Sequence, residues 1–262
     1  MDDSFPGCRI DWHKEGAYFQ LTRPDKFNTI TTAILDSLSH CLDEIERRRS
    51  RWLVVSGEGE RAFCAGADLA EAGSMSPDEI DIKNERARTL FFQLSNSSAI
   101  SVAAINGLAY GGGLELAMAC TFRISARHAL FSLPEVKLGV LPSYGGTQFL
   151  PAIIGYARAL DLMLTGRSVN AEEALAMGLI SRIASSETPL VDQARDLGAL
   201  VTGYSQVAIG GIRRCVAASG SMVTTDGLAV EGVQAKSTLR SADAGEGVRA
   251  FLEKRAPVFR HI

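Results

Sequence analysis

Short runs of apolar and β-branched residues alternate along this chain with segments of helical periodicity. The runs lie at 52–55, 101–105 and 122–125. Such runs are typical of buried strands, whereas the residues between them have the three- and four-residue spacing of helices. The alternation therefore predicts an α/β structure in which helices cover a sheet.

Two helices follow from local patterns. A stripe of apolar residues with helical spacing should form the buried face of the first helix: Ile34, Leu35, Leu38, Cys41, Leu42 and Ile45. A second helix is expected from about Asp78 to Leu94, because Ser76 and Pro77 before it are typical of a cap and a first helical position. Its apolar face would carry Ala87, Leu90, Phe91 and Leu94.

The C-terminal part of the chain has a different composition. Beyond about Gly203 the sequence favours successive helices with alanine and glycine breaks, and it lacks a convincing β run. The sequence contains no visible internal repeat or low-complexity segment. We therefore expect a core over residues 1–202 and a helical region over residues 203–262.

Composition narrows the classes of partner and compartment. With 262 residues and a formal net charge of -3, the chain has no general electrostatic attraction to nucleic acid or to an anionic membrane. Its five cysteines form no CxxC pair, and its four histidines show no metal-ligand spacing. The N-terminal residues do not resemble a targeting segment, and no apolar run approaches the roughly 20 residues that span a bilayer. We expect a cytoplasmic protein without a metal.

The segment at 63–69, FCAGADL, follows a predicted strand and contains mostly small side chains. Small residues allow a ligand to approach the backbone closely. The segment could equally be a tight strand-to-helix turn in which Asp68 caps the helix. The sequence is consistent with both interpretations.

A glycine triplet at 111–113 runs from a predicted strand into a helical pattern. Free backbone N–H groups and the positive end of the helix dipole meet at such a junction, so a developing negative charge could be stabilised there. The lysine and hydroxyl residue of a phosphate-binding P-loop are absent. Close packing of the helix on the sheet is the structural alternative.

Two glutamates lie in apolar surroundings. Glu115 lies close after the glycine-rich turn, and Glu135 is flanked by apolar residues. Glu115 could be an ordinary first-turn acid or a buried group held for proton transfer. Two such carboxyl groups can act as acid and base when their environments separate their pKa values, but spacing does not show whether they face each other.

Four segments together resemble the enoyl-CoA hydratase/isomerase (crotonase) superfamily over nearly the whole chain. They are AFCAGADL at 62–69, NGLAYGGGLELAMAC at 106–120, FSLPEVKLGVLPSYGGTQ at 131–148 and EGVRAFLEKRAPVF at 246–259. The resemblance implies a spiral of ββα units with a C-terminal helical trimerisation region. It also implies a homotrimer or homohexamer.

The resemblance further implies an enoyl-CoA hydratase that adds water to a 2-trans-enoyl-CoA in fatty acid metabolism. Glu115 and Glu135 would be the catalytic pair, and the backbone N–H groups of Ala67 and Gly112 would form the oxyanion hole. No cofactor is implied, because CoA is part of the substrate. The resemblance also implies CoA contacts at Ala65, Asp68, Leu69, Phe251 and Lys254, and Tyr144 is a further candidate substrate contact because of its position in the chain.

Three residues depart from the family pattern. Ser143 and Tyr144 stand where hydratases commonly have glycine and a small residue, and Phe149 stands where many relatives have arginine. Tyr144 could narrow the acyl pocket, donate a hydrogen bond to a polar acyl group or pack in the core. For Lys254, a solvated helix face is the alternative to a CoA contact.

Other functions remain as alternatives. The same superfamily includes isomerases and specialised dehydratases, although isomerases generally need only one well-placed carboxylate. A non-catalytic acyl-CoA-binding protein is a further alternative. The basic run at 47–51, RRRSR, keeps RNA binding open, but no aromatic platform accompanies the arginines.

Overall fold

The computed structural model describes residues 2–218 and 225–261, and this part of the chain contains eleven strands and eleven α-helices. The strands are β1 (Asp2–Phe5), β2 (Cys8–Trp12), β3 (Gly16–Leu21), β4 (Trp52–Gly57), β5 (Ala62–Cys64), β6 (Ile100–Ile105), β7 (Leu108–Tyr110), β8 (Phe122–Ser125), β9 (Leu130–Ser132), β10 (Val169–Asn170) and β11 (Arg182–Ile183). The helices are α1 (Thr32–Arg48), α2 (Leu69–Ala72), α3 (Pro77–Asn96), α4 (Gly112–Ala119), α5 (Gly146–Ile154), α6 (Tyr156–Thr165), α7 (Ala171–Ala176), α8 (Leu190–Ala199), α9 (Gln206–Ala217), α10 (Thr225–Leu239) and α11 (Ala242–Leu252).

The larger sheet has seven strands in the order β1-β2-β3-β4-β6-β8-β11. Strand β2 is antiparallel to its neighbours β1 and β3, and the pairs from β3 onward are parallel. Every residue of β4 and β6 is buried, which is why these strands read as continuous apolar runs. The strands predicted at 52–55, 101–105 and 122–125 are confirmed.

The smaller sheet has four strands in the order β10-β9-β7-β5. Consecutive strands alternate between the two sheets: β4, β6 and β8 lie in the larger sheet, and β5, β7 and β9 lie in the smaller one. Helical segments follow the second strand of each pair. This repetition is the predicted spiral of ββα units.

The two helices expected from local patterns are present. All six residues of the apolar stripe in α1 are buried. In α3, Ser76 and Glu79 form a capping box, Pro77 occupies the first turn, and the four residues of the expected apolar face are buried. Local sequence signals thus place both helices correctly.

The alternating side chains of β4 contribute to two hydrophobic clusters. Leu53 and Val55 belong to the larger cluster, which includes residues of α1, α3 and α4. Trp52 and Val54 belong to a smaller cluster with Ala194 and other residues. The larger sheet therefore has apolar packing on both faces.

The chain divides into two compact units, Met1–Gly198 and Ala199–Ile262. The described residues of the second unit contain helices and no strand. Within this unit the buried Asp243 carboxylate accepts hydrogen bonds from the backbone N–H groups of Arg260 and His261. Across residues 2–218 and 225–261, no helix combines the length and apolar composition needed to cross a membrane.

Candidate active site

A cavity of about 350 Å³ lies in the first unit. Residues from the two glycine-containing segments line it, together with residues between 134 and 144. Helix α3 contributes Ile80, Lys83 and Asn84. The cavity therefore brings together segments that are far apart in sequence.

The chain leading into β5 is anchored by Asn28, which is fully buried and has a left-handed backbone with φ 55°. Its side-chain Nδ2 donates to the carbonyl oxygens of Ala62 at 2.8 Å and Glu58 at 3.1 Å. Two residues on, Ile30 N–H donates to Gly66 O at 2.8 Å, and Asp68 N–H donates to Ile30 O at 3.0 Å. This anchor is not predictable from local sequence, because its partners lie about 30 residues away.

The glycine triplet packs directly against the end of β5. A Cβ on Gly113 would lie 2.0 Å from Cys64 O, and a Cβ on Gly66 would lie 3.2 Å from Gly112 N. Gly111 has φ 52° and is the N-cap of α4. Glycine is therefore required here for close packing, and the same packing brings the start of α4 to the cavity.

The backbone amides of Ala67 and Gly112 are neighbours at the cavity wall. Gly112 is the first residue of α4, so its N–H has no acceptor within the helix. A Cβ on Gly112 would lie 3.6 Å from Ala67 N, and both residues line the cavity. The positive end of the α4 dipole adds to this donor pair.

Glu115 is buried in the first turn of α4, with 1% of its surface exposed. Its Oε1 accepts hydrogen bonds from the backbone N–H groups of Tyr144 at 2.8 Å and Gly146 at 2.7 Å. Burial raises the pKa of Glu115 to about 8, the nearby Glu135 charge adds to the increase, and the two N–H donors oppose it. Burial therefore favours the protonated form of this carboxyl group.

Glu135 lines the same cavity from a short 3₁₀ turn, Glu135–Leu138. Burial raises the pKa of its carboxyl group as well. Its Oε2 is buried and has no hydrogen-bond partner among the described residues. Its Oε1 lies 3.0 Å from where a Cβ on Gly111 would stand. The fold thus brings Glu115 and Glu135 to one cavity, a proximity that spacing alone did not establish.

Tyr144 is both a packed residue and a cavity residue. Only 3% of its surface is exposed, and its ring packs edge-on against Phe91 with centroids 5.7 Å apart. A Cβ on Gly112 would lie 2.9 Å from two of its ring carbons. Burial raises the pKa of its hydroxyl above the ordinary value. Ser143 also lines the cavity, whereas Phe149 packs against the main core.

Only two of the remaining expected substrate contacts line this cavity. Ala65 and Leu69 line the cavity. Asp68 caps α2 by accepting from two backbone N–H groups, and it pairs with Arg23 at 2.8 Å. Phe251, with 82% of its surface exposed, and Lys254 lie in the second unit. Asp68 therefore has a structural role in the turn.

Lys83 is a cavity residue that was not predicted from the sequence. It lies on the buried face of α3 and forms a salt bridge with Glu71. A signal was present, since residue 83 precedes Ala87 by one helical turn and thus shares its apolar face. A lysine on such a face is uncommon unless it is paired.

Two other expectations concern metals and basic residues. Among the described residues, no group of three or more potential ligands could hold a metal ion. In the basic run, Arg47 and Arg48 both pair with Glu44, and the Arg48 guanidinium lies 4.3 Å from the centroid of the Trp12 ring. These two arginines are engaged within the fold.

Comparison with known proteins agrees with this architecture. Residues 14–261 match the family described as enoyl-CoA hydratase/isomerase. A Bacillus subtilis (strain 168) protein described as "Probable enoyl-CoA hydratase" is 37% identical over 235 residues, covering 89% of this chain and 91% of the relative. "Enoyl-CoA hydratase domain-containing protein 2, mitochondrial" of Bos taurus is 34% identical, covering 96% of this chain and 87% of its own.

Solved structures show the same fold. A crystal structure of enoyl-CoA hydratase from Bacillus anthracis has a TM-score of 0.91 and 32% identity, covering 98% of this chain and 100% of that one. Pseudomonas aeruginosa DspI has a TM-score of 0.91 and 34% identity, covering 98% of each chain. Fold and site thus define a crotonase-fold protein with one buried and one partly buried carboxyl group beside a helix N-terminus. The chain belongs to the enoyl-CoA hydratase/isomerase family.

Proposed function

We propose that this protein is an enoyl-CoA hydratase that adds water reversibly to a 2-trans-enoyl-CoA to give a 3-hydroxyacyl-CoA. The observation that carries the proposal is the convergence of Glu115 and Glu135 on the cavity that the Ala67 and Gly112 amides also line. Two carboxyl groups beside two backbone donors supply both proton transfer and charge stabilisation.

The thioester carbonyl oxygen would be held by the N–H groups of Ala67 and Gly112. Negative charge develops on this oxygen when water adds to C3, because the C2–C3 π electrons move toward the carbonyl. Preorganised donors can each stabilise such a charge by about 3 to 4 kcal/mol. The rigid packing of the two glycine-containing segments keeps the donors in place at no cost during the reaction.

The carboxyl pair would handle the protons of the added water. A water held between Glu115 and Glu135 loses one proton to the ionised carboxylate as its oxygen bonds to C3. The protonated carboxyl group delivers a proton to C2, so the pair ends with the same total number of protons. Burial and mutual repulsion favour this singly protonated state at neutral pH.

Water addition involves no net oxidation, and we propose that no cofactor takes part. CoA would enter as part of the substrate, with Ala65 and Leu69 at the CoA end of the cavity. Phe251 and Lys254 would contact CoA from a C-terminal region. We also propose a cytoplasmic location for the protein.

We further propose a homotrimer or homohexamer. The second unit carries many exposed large apolar side chains, and exposed apolar surface of this kind marks interaction sites. They include Ile212, Leu228, Val233, Leu239, Val248, Phe251 and Leu252. Sedimentation velocity of the purified protein should show a trimer or hexamer at micromolar concentration, and a monomer would contradict the proposal.

Loss of the conjugated thioester absorbance tests the reaction. The wild-type protein should consume crotonyl-CoA or a longer enoyl-CoA, and the 3-hydroxyacyl product should be identified by mass spectrometry. Glu115→Gln and Glu135→Gln should each lower kcat by about 100-fold or more, because each removes one proton-transfer group. Full activity in either variant would argue against the paired mechanism.

An isomerase is the main alternative, since it would use the same amides to stabilise the enolate but only one carboxylate to move a proton. A 3-enoyl-CoA substrate distinguishes the two reactions. An isomerase would convert it to the conjugated thioester and raise the absorbance, whereas a hydratase would leave it largely unchanged.

A further inference from the structure

Helix α3 brings a buried ammonium group to the cavity that contains the carboxyl pair. Lys83 has only 5% of its surface exposed and lines the cavity with Tyr144 and Glu115. Its Nζ donates to the Glu71 carboxylate and to the Ile30 carbonyl oxygen at 3.3 Å. The water-addition mechanism makes no use of this group.

Glu71 balances the charge of the Lys83 ammonium, but not all N–H donors of the ammonium are occupied by described residues. Glu71 also accepts from the backbone N–H of Thr32, at 3.1 and 3.3 Å to its two oxygens. Burial opposes ionisation of Glu71, but the hydrogen bonds from Lys83 and Thr32 outweigh it and hold the pKa of this carboxyl below its ordinary value. A lysine ammonium has three donors, and two of them are occupied by Glu71 and Ile30.

The surroundings of Lys83 favour one kind of ligand. Most of the cavity lining is apolar and includes Ile80, Leu141 and the Tyr144 ring. An acyl chain entering this region would place its far end beside a charged donor and a phenol. Because Glu71 already neutralises Lys83, a carboxylate on the ligand would add an uncompensated buried charge, whereas a neutral oxygen would not.

We infer that the cavity selects acyl-CoA thioesters whose acyl chain carries a neutral oxygen acceptor, such as a ketone, near its far end. Lys83 donates the recognising hydrogen bond, and Glu71 positions the ammonium. This inference rests on the proposed function insofar as the cavity receives the acyl group. Lys83 is then a specificity-determining residue and takes no part in proton transfer.

Binding of unreactive saturated thioesters tests this selection without requiring turnover. Isothermal titration calorimetry would compare heptanoyl-CoA with its 4-oxo, 5-oxo and 6-oxo derivatives and with the mono-CoA thioester of heptanedioic acid. At least one oxo derivative should bind about tenfold more tightly than heptanoyl-CoA, as expected for a hydrogen bond from a charged donor. The anionic thioester should bind no more tightly than heptanoyl-CoA.

The matched variant is Lys83→Met combined with Glu71→Gln, because removing Lys83 alone would leave the Glu71 charge buried without its partner. The oxo preference should fall to nearly one in this double variant. Lys14→Met, at an exposed lysine, should keep the preference. Thermal melts followed by circular dichroism establish that both variants are folded.

Equal affinity for heptanoyl-CoA and all three oxo derivatives in the wild-type protein would overturn the inference, whatever the state of the variants. An unchanged preference in the folded double variant would overturn the role of Lys83. Hydration of unsubstituted enoyl-CoA without an oxo preference would leave the proposed function standing and remove this inference alone. An oxo preference without any hydration would support this inference and contradict the proposed function.

Discussion

The carboxyl oxygen Oε1 of Glu115 accepts a hydrogen bond from the backbone N–H of Gly146 at 2.7 Å. A Cβ at residue 146 would lie 2.9 Å from the same oxygen and 2.8 Å from Cβ of Pro142. Glycine at this position therefore allows the backbone to approach the carboxyl group closely. The start of α5 thus determines how Glu115 is oriented in the cavity.

Gly146→Ala should displace the Glu115 carboxyl group and lower kcat for hydration by about 10- to 100-fold, as expected when a reacting group moves by a fraction of an ångström to an ångström. Steady-state kinetics on crotonyl-CoA measure the effect. Gly245→Ala is the matched control, because its new Cβ would meet nothing within 4 Å. Unchanged kcat in Gly146→Ala would contradict the proposed role of this contact.

The pH dependence of activity should report the protonation of the carboxyl pair. Since burial raises the pKa of Glu115 to about 8, kcat/KM should fall above that pH as the pair loses its last proton. Tyr144→Phe should retain the same decline, because burial places the pKa of the Tyr144 hydroxyl above its ordinary value of 10.0. A profile that stays flat to about pH 10 would argue against a required carboxyl proton.

Glu115 should also make folding stability depend on pH. Its pKa rises from 4.5 to about 8 on folding, so the folded protein holds a proton in this range that the unfolded chain releases. Stability therefore declines as pH rises from 4.5 to about 8, by up to several kcal/mol from this group.

Urea unfolding at about pH 5 and about pH 9 checks this linkage. Glu115→Gln lacks the titrating group. The free energy of unfolding of the variant should therefore be larger, relative to that of the wild type, at the higher pH than at the lower pH. Groups that do not interact with Glu115 titrate alike in both proteins and cancel, so the difference reports the coupled pair of Glu115 and Glu135. An equal difference at both pH values would show that the pKa of Glu115 is not raised by folding.

Asn28→Ala should lower the free energy of unfolding by about 2 to 4 kcal/mol, because it removes three hydrogen bonds of a fully buried side chain. The lost bonds join the side chain to Ala62 O, Glu58 O and Arg23 N. Asn96→Ala is a suitable comparison at an exposed asparagine and should cost much less. A small effect at residue 28 would show that these hydrogen bonds contribute little to stability.

Tyr144→Ala should enlarge the cavity and shift substrate preference toward longer or branched acyl chains. A change of about tenfold in the ratio of kcat/KM values for a long and a short enoyl-CoA is expected, since one methylene in an apolar pocket has effects of that size. Tyr144→Phe keeps the packing against Phe91 and should preserve the ratio. An unchanged profile in the alanine variant would leave Tyr144 with a packing role alone.

The sequence by itself determined the elements whose signals are local. The buried strands at 52–55 and 101–105 read as apolar runs because both of their faces are covered. Helix α3 begins where Ser76 and Pro77 predict it, since a cap acts on backbone groups within one turn. Glycine at 111–113 was recognised as a strand-to-helix junction for the same reason.

Only the tertiary structure decided which of these parts meet. The proximity of Glu115 and Glu135, the adjacency of the Ala67 and Gly112 amides, and the burial of Lys83 depend on the packing of segments that are distant in sequence. Residue spacing records interactions within a few residues, whereas these contacts arise from the stacking of ββα units. The raised pKa of Glu115 has the same origin, because desolvation is a property of the assembled core.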